Sequence, residues 1–226
     1  MNVVAELLPV AGVVPLTTVD FPGRLACVVF TQGCPWRCSY CHNAAMRPLS
    51  IVPGFSWSEV IDFLEPRRGF LEGVVFSGGE PTLHVGLAIA LRQVRELGFL
   101  TGLHTAGMYP ERLGRLLDFT DWVGLDVKAP LDERYVRLTG DRHSASQVRA
   151  SLEILKRSKV EFQLRTTVAS DEESERDYQD LCWELERLGL PRPVRQEMRA
   201  PRTGRRNAGV PRESEDEPIG AILLAN

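Results

Sequence analysis

Three closely spaced cysteines are the residues of this sequence best suited to chemistry. Cys34, Cys38 and Cys41 fall within eight residues, whereas Cys27 and Cys182 stand apart. Disulfides between such close neighbours would be strained and would constrain the unfolded chain little, so the cluster predicts a metal site. Structural zinc sites and four-iron clusters usually take four protein ligands. Three local cysteines therefore predict a metal centre with one position left open.

A zinc module is the alternative interpretation of the same cysteines, with His42 as the fourth ligand. Adjacent residues rarely reach one metal ion in good geometry, and the sequence holds no second cysteine pair. The spacing therefore favours an iron–sulfur cluster. A brown protein would agree with the cluster, and a colourless one with about one zinc per chain would agree with the alternative.

Composition restricts the class of protein and its partners. The chain has 226 residues, 43% of them hydrophobic and 25% charged, with a formal net charge of -3. These values are typical of ordinary globular proteins and give no reason to expect nucleic acid or an anionic membrane as partner. No apolar run approaches the roughly 20 residues of a membrane span, and the amino terminus is a poor signal peptide. An odd cysteine count without an export signal predicts a reducing, cytoplasmic location.

Apolar strand patterns alternate along the chain with amphipathic helix patterns, and this alternation predicts a parallel sheet with helices outside it. The predicted strands are 25–31, 73–76, 100–104, 122–127, 162–168 and 193–197. The predicted helices are 56–65, 85–97, 110–117, 144–157 and 174–188. Six units are fewer than the eight of a closed barrel, so we expect an α/β fold: a partial, open (β/α)6 TIM-like barrel.

Polar and glycine-rich segments follow four of the predicted strands. They are residues 34–41, 78–81, 104–107 and 128–130. Ligands bind at the carboxyl ends of parallel strands, so these segments are expected to meet at one mouth. We assign residues 1–198 to this domain and residues 199–226 to a polar, poorly ordered carboxyl-terminal tail.

The spacing Cys34-x-x-x-Cys38-x-Tyr40-Cys41 resembles the signature of the radical S-adenosylmethionine enzymes. Gly78-Gly79-Glu80 resembles the Gly-Gly-Glu segment that follows the second strand in that family. The flanking segments resemble the activating proteins of anaerobic ribonucleoside-triphosphate reductase. These flanks are residues 19–23, 31–34, 41–43, 124–130 and 165–168.

The resemblance implies one 4Fe–4S cluster with three cysteine ligands and an open iron that binds S-adenosylmethionine. Reductive cleavage of that cofactor would give a 5′-deoxyadenosyl radical, which would take a hydrogen atom from a glycine of a partner protein. The implied partners are a glycyl-radical enzyme, here anaerobic ribonucleotide reductase, and a flavodoxin- or ferredoxin-type electron donor. The alternative is a radical enzyme that acts on a small molecule, similar to 7-carboxy-7-deazaguanine synthase.

The same resemblance assigns roles to residues beside the cluster. Cys34, Cys38 and Cys41 would hold the cluster, and the ring of Tyr40 would lie against the adenine. Gly78 and Gly79 lack side chains, so their carbonyl groups could approach the methionine ammonium, with Glu80 adding charge. Because Gly79 touches no ligand, a larger residue there is expected to weaken cofactor binding and spare the cluster.

Further cofactor contacts are expected at the ends of the next strands. The group usually reads Asp-Thr-Asn where this chain has His104-Thr105-Ala106, which removes two hydrogen-bonding side chains. Asp126, Lys128 and Arg165 are expected to face the same mouth. Each has a simpler alternative: a surface ion pair for Asp126 and Lys128, a structural salt bridge for Arg165, and a hydrogen-bonded histidine within the sheet for His104.

Overall fold

A computed structural model describes residues 5–50 and 54–198 of the chain. The predicted tail, residues 199–226, lies outside the described residues. The described strands form one seven-stranded sheet in sequence order. No helix in the described part of the chain is long and apolar enough to cross a membrane.

The sheet confirms the predicted open α/β architecture and adds one strand to it. All six predicted strands are present as β2–β7, and these six strands run parallel to one another. The strands are β1 Val10–Thr17, β2 Ala26–Thr31, β3 Gly73–Gly78, β4 Leu100–Thr105, β5 Trp122–Asp126, β6 Glu161–Val168 and β7 Val194–Glu197.

Strand β1 was missed by the sequence analysis, and it runs antiparallel to β2. It contains Gly12 and Pro15, which weaken its strand pattern. Proline is tolerated in this position because β1 is an edge strand, whose outer backbone groups need no partner strand. The expectation of a wholly parallel sheet is therefore wrong at this edge.

The predicted helices are also present. Ser56 and Glu59 form a capping box at the start of α1, each side chain bonding the other's backbone. The seven-residue helix α4 was missed; α3 is equally short but carries proline in its first turn, a start signal that α4 lacks. The helices are α1 Trp57–Leu64, α2 Leu87–Glu96, α3 Pro110–Leu116, α4 Glu133–Thr139, α5 Ser144–Arg157 and α6 Glu172–Arg187.

The two faces of the sheet differ in what covers them. All six helices bury side chains in one large core against the face that carries Phe76, Leu103 and Leu125. The opposite face holds a small cluster that includes Val75 and Trp122. Side chains alternate along a strand, so one face is closed by helices and the other is the inner face of the partial barrel.

A ring from the loop between β1 and β2 fills the lower part of the inner face. Phe21 stacks on Trp122 with ring centroids 5.7 Å apart. A Cβ at Gly73 would lie 2.9 Å from the Phe21 ring, and one at Gly102 would lie 3.4 Å from it. These two glycines let the ring sit directly on the strands, so Phe21 and Trp122 form the floor beneath the mouth.

Candidate functional site

The carboxyl ends of the parallel strands bring the four predicted segments to one edge of the sheet. Thr31 at the end of β2 pairs with Gly78 at the end of β3. The next strands continue this edge: His104 of β4 pairs with Gly124 of β5, and Asp126 pairs with Arg165 of β6. The cysteine loop, the glycine turn and the polar residues of β4–β6 are therefore neighbours.

The cysteine loop is anchored mainly through its own backbone. Gly33 N donates to Met46 O at 2.7 Å, and Cys34 N donates to Arg47 O at 3.0 Å. Trp36 packs edge-on against Tyr135 of α4, and its Nε1 donates to Asp141 at 3.2 Å. The missed helix α4 thus supports the side of the loop that lies away from β3.

The glycine turn after β3 is locked against the start of the cysteine loop. Gly79 N donates to Thr31 O at 2.8 Å, and Glu80 N donates to Gly33 O at 2.9 Å. A Cβ at Gly79 would lie 2.3 Å from Gly33 O, and one at Gly78 would lie 2.5 Å from Thr31 N and O. The expectation that a larger residue at Gly79 spares the cluster stays a prediction, and this packing argues against it, because such a residue would displace the residue before Cys34.

Burial keeps the thiols of Cys34 and Cys38 protonated until metal binds. Cys38 is buried, and Cys34 and Cys41 are half-buried. Burial raises the pKa of Cys34 to about 12, with Glu80 adding to the effect, and burial raises the pKa of Cys38 as well. Iron binds the thiolate, so loading the site releases protons.

The arrangement of the thiols bears on the choice between zinc and a cluster. Three thiolates from one loop would bind three different irons of a 4Fe–4S cluster, whereas a zinc site would need His42 as a further ligand on the same ion. The donor set fits the cluster.

Glu80 joins the ends of β3 and β4. Its Oε1 accepts hydrogen bonds from Thr82 N, Thr82 Oγ1 and Thr105 Oγ1, at 3.0, 2.6 and 2.7 Å. Its Oε2 accepts from Ala106 N at 2.9 Å. Burial raises the pKa of Glu80 against these four bonds. The cofactor contacts predicted for Glu80, Thr105 and Ala106 stay predictions, and the structure shows these residues bound to one another.

Tyr40 and Lys128 lie together beside the cysteine loop. Lys128 Nζ is 6.0 Å from the centroid of the Tyr40 ring. The Tyr40 hydroxyl is buried and has no hydrogen-bond partner among the described residues. Burial raises the pKa of Tyr40, so the phenol stays protonated and able to donate. A buried donor without a partner fits a site that a ligand completes.

Three charged side chains, Arg165, Asp126 and Lys128, lie on the inner face above the floor that Phe21 and Trp122 form. Arg165 Nε donates to Asp126 Oδ1 at 2.9 Å, and Nη2 lies 2.9 Å from the same oxygen. Lys128 Nζ is 3.8 Å from Asp126 Oδ2. Although burial opposes its charge, Arg165 and Lys128 hold the pKa of Asp126 below its usual range. The ion-pair alternatives for these residues are present, in a more buried setting than the surface pair first considered.

His104 lies beside Arg165, within the sheet. Its Nε2 is 2.8 Å from Asp20 O, and its ring packs edge-on against Trp122. Burial lowers the pKa of His104 to about 4, and Arg165 contributes to this shift. The structure thus shows the hydrogen-bonded histidine that was the alternative for this position. The predicted contact between His104 and the cofactor stays a prediction.

Two residues of this site were missed by the sequence analysis. The backbone carbonyl of Asp20 accepts a hydrogen bond from the His104 ring. Gly124 leaves space for the side chains above it, since a Cβ there would lie 3.0 Å from Arg165 Cζ. Both belong to flanks that carried the family resemblance. That membership was the available signal, although it gave no role to either residue.

Comparison with known proteins identifies relatives over most of the described region. The sequence profile of the Radical SAM superfamily matches residues 28–182. A Methanocaldococcus jannaschii protein assigned by name to the glycyl-radical enzyme activating enzymes is 32% identical over 183 residues, 76% of this chain and 73% of the relative. The pyruvate formate-lyase-activating enzyme of Clostridium pasteurianum is 36% identical over 127 residues, 54% of this chain and 53% of the relative. The match therefore spans about half the length of the latter.

Solved structures share the fold at low sequence identity. Streptococcus suis SuiB bound to S-adenosylmethionine has a TM-score of 0.59 at 15% identity, covering 76% of this chain and 40% of that one. Native anSMEcpe with bound AdoMet has a TM-score of 0.57 at 20% identity, covering 78% of this chain and 52% of that one. These similarities show the fold of the chain.

Proposed function

Because the chain belongs to the radical SAM superfamily, we propose that it installs a glycyl radical in an anaerobic ribonucleoside-triphosphate reductase. This family uses a 4Fe–4S cluster and S-adenosylmethionine. The observation that carries the proposal is the junction of the cysteine loop and Gly79 at the mouth of an open sheet. A cluster held there would lie beside both the cofactor turn and the inner face.

The residues of the chain divide the work of binding. Cys34, Cys38 and Cys41 would hold the cluster. Tyr40 would orient the adenine, and the backbone of Gly79 would receive the methionine ammonium. A cluster held by the three cysteines would supply one-electron reductive cleavage of S-adenosylmethionine, the chemistry by which a hydrogen atom would be removed from a glycine α-carbon of the partner. The protein's own contribution is positioning and the exclusion of water.

Two observations support the proposed substrate: one indicates the class of target enzyme, and the other indicates the particular enzyme. The M. jannaschii relative, at 32% identity, carries a name that favours activation of a glycyl-radical enzyme. The flanks at residues 19–23 and 124–130 favour the reductase as the particular target. The names of the pyruvate formate-lyase-activating relatives favour a second candidate target, pyruvate formate-lyase.

The segment that holds the cysteine loop carries arginines and no carboxylates, and this charge pattern supports an acidic electron donor. Residues 21–58 contain no Asp or Glu, although the chain as a whole has 30. Arg37 is exposed and Arg47 half-buried, and neither has a carboxylate partner among residues 5–50 and 54–198. Electrons must enter near the cluster, and complementary charge speeds such encounters. We therefore propose a flavodoxin- or ferredoxin-type donor that docks beside this loop.

Electron paramagnetic resonance of anaerobic mixtures tests the proposal. The reconstituted protein, S-adenosylmethionine and a chemical reductant are mixed with an anaerobic ribonucleotide reductase, with pyruvate formate-lyase, or with a pterin-like small molecule. We expect the doublet of a glycyl radical with the reductase. A doublet with pyruvate formate-lyase alone would move the target to the second candidate. Turnover with the small molecule and no protein radical would overturn the proposal in favour of an enzyme similar to 7-carboxy-7-deazaguanine synthase.

A further inference from the structure

The hydrogen bonds around His104 specify which ring nitrogen carries its proton. Asp20 O is a carbonyl oxygen and can only accept, so His104 Nε2, 2.8 Å away, must carry the hydrogen. Arg165 Nη1 lies 3.0 Å from His104 Nε2 and 3.4 Å from Nδ1, so it sits over the face of the ring and not on the lone pair of Nδ1 in the ring plane. We therefore assign a neutral ring with Nε2–H bonded to Asp20 and the Arg165 guanidinium packed over its face.

Counting the donors of Arg165 shows what this arrangement leaves free. The guanidinium has five N–H groups. Nε donates one to Asp126, Nη2 lies 2.9 Å from the same carboxylate oxygen, and Nη1 packs over the His104 ring. The remaining N–H groups on Nη1 and Nη2 belong to a side chain that is only 11% exposed. A guanidinium held from two sides presents its remaining donors in a fixed direction.

Neighbouring residues restrict the positions of the His104 and Arg165 side chains. Trp122 supports the His104 ring at a centroid distance of 5.5 Å. Thr17 Oγ1 donates to the Asp20 side chain at 2.6 Å, which steadies the loop whose carbonyl holds His104. Gly124 lies under both side chains, with a Cβ there 3.0 Å from His104 Cδ2. The neighbouring floor is apolar, so the free N–H groups can find partners only toward the mouth.

We propose that His104 is a positioning residue: it holds the Arg165 guanidinium so that its remaining N–H groups meet main-chain carbonyls of the peptide that carries the target glycine. This inference rests on the proposed function, which makes the substrate a peptide. An extended peptide offers carbonyl oxygens at regular intervals, and these accept the N–H groups of an arginine well. His104 acts on the peptide through Arg165, while its own Nε2 is engaged by Asp20 O within the sheet.

A double-mutant cycle separates positioning from a general effect on the fold. The variants are His104→Leu, Arg165→Leu and their combination, with His104→Gln as the conservative variant, since its amide can donate to Asp20 O and its plane can pack against the Arg165 guanidinium. Arg149→Leu, in an exposed ion pair with Glu184 on the outer helices, is the control. Each reconstituted protein is assayed with the target enzyme for KM and for glycyl radicals formed per 5′-deoxyadenosine released.

We expect His104→Leu to raise KM for the target about tenfold and to lower the number of radicals per cleaved cofactor, the scale of one lost hydrogen bond to a charged group. His104→Gln should recover most of this loss. Adding His104→Leu to Arg165→Leu should change KM by less than about twofold, because the group it positions is already absent. Additive effects of the two substitutions would overturn the inference. Absence of any radical with the wild-type protein would instead overturn the proposed function.

Nitrogen-15 spectra of full-length protein labelled at histidine provide a measurement independent of turnover. The chain has four histidines, and the signal lost in His104→Gln identifies the one in question. We expect a neutral ring protonated on Nε2 throughout pH 8 to 6, surrounded by the charges of Asp20, Asp126 and Arg165. A ring protonated on Nδ1, or a charged ring at pH 6, would contradict the assignment. This result stands whether or not any of the leucine variants folds.

Discussion

The two halves of the candidate site are built in different ways. The half on β2 and β3 is held by backbone hydrogen bonds and by close backbone packing, with Gly79 against Gly33. The half on β4–β6 is held by side chains, with Arg165 between His104 and Asp126. The half on β2 and β3 would position the cluster and its cofactor, and the half on β4–β6 presents charged side chains to a substrate at the mouth.

This difference predicts how each half responds to substitution. The backbone contact between Gly79 and Gly33 leaves no space for a side chain, because a Cβ at Gly79 would overlap the Gly33 carbonyl oxygen. A side-chain network can lose one member and keep its backbone, at the cost of leaving a partner unsatisfied. Changes in the first half should therefore abolish function, and changes in the second should reduce stability or substrate affinity.

The largest effect is expected for Cys38→Ala. Removing one of three thiolate ligands should abolish the brown colour, the bound iron and all cleavage of S-adenosylmethionine. Iron and sulfide analysis after anaerobic reconstitution measures this, with about four of each expected for the wild-type protein. Cys182→Ala is the matched control, because Cys182 is buried in α6 away from the loop. Full iron content in Cys38→Ala, or its loss in Cys182→Ala, would contradict the ligand assignment.

Gly79→Ala tests the backbone junction itself. Its single added methyl carbon would lie 2.3 Å from Gly33 O, so the cysteine loop must move. We expect cofactor affinity to fall more than about tenfold and iron content to fall with it. Calorimetry and iron analysis measure the two losses. Gly114→Ala in α3 is the control, since its Cβ would make ordinary contacts at 3.7 Å and alanine favours a helix. Normal iron with weak cofactor binding in Gly79→Ala would restore the original expectation.

The first half of the site could be predicted from the sequence because its signals are local. The cysteines and the glycines each lie within a few residues of one another, and the strand before each segment places it at the edge. The same locality explains the success with β2–β7. Strand β1 escaped prediction because Pro15 interrupts its strand pattern, and helix α4 because it is short and lacks the first-turn proline that marks α3. What local patterns could not show is that Gly79 packs on Gly33.

The second half could be named from the sequence only as separate residues. Arg165 and Asp126 are 39 positions apart, and His104 is 61 positions from Arg165. Their pairing depends on the register of β4, β5 and β6, which no local pattern specifies. Burial also decides the charge of His104, and burial emerges only when Trp122 and Asp20 close around the ring. The sequence analysis therefore placed these residues at the mouth without their partners.

Arg165→Leu measures how much the charged group contributes to stability. It leaves Asp126 with only the more distant Lys128, so we expect a loss of about 2 kcal/mol in the free energy of unfolding. The loss is smaller than for a fully buried pair because the Asp126 side chain is 33% exposed. Urea unfolding of the purified protein measures it. Arg149→Leu breaks an exposed pair and should cost about 0.5 kcal/mol. Equal losses in the two variants would remove the distinction between the site and the outer surface.

The smallest effect is a pH dependence that belongs to His104. Burial and Arg165 lower its pKa from 6.5 to about 4 in the folded protein. Between these values the unfolded chain binds a proton that the folded protein does not, so stability falls as pH falls from about 6.5 to 4. Between pH 7 and pH 6 this contribution amounts to about 0.7 kcal/mol. We expect His104→Gln to lose that part of the pH dependence, as measured by urea unfolding at both values.

A control at a different histidine ties this slope to the buried ring. His143 lies exposed just before α5, where its replacement by glutamine leaves the inner face intact. If His143→Gln flattens the pH dependence as much as His104→Gln does, the buried network is not its source. If only His104→Gln flattens the pH dependence, the low pKa of His104 is its source, and this property distinguishes the β4–β6 half of the site from the β2–β3 half. The neutral state of the His104 ring beside Arg165 would then be measurable as a pH-dependent contribution to the stability of the protein.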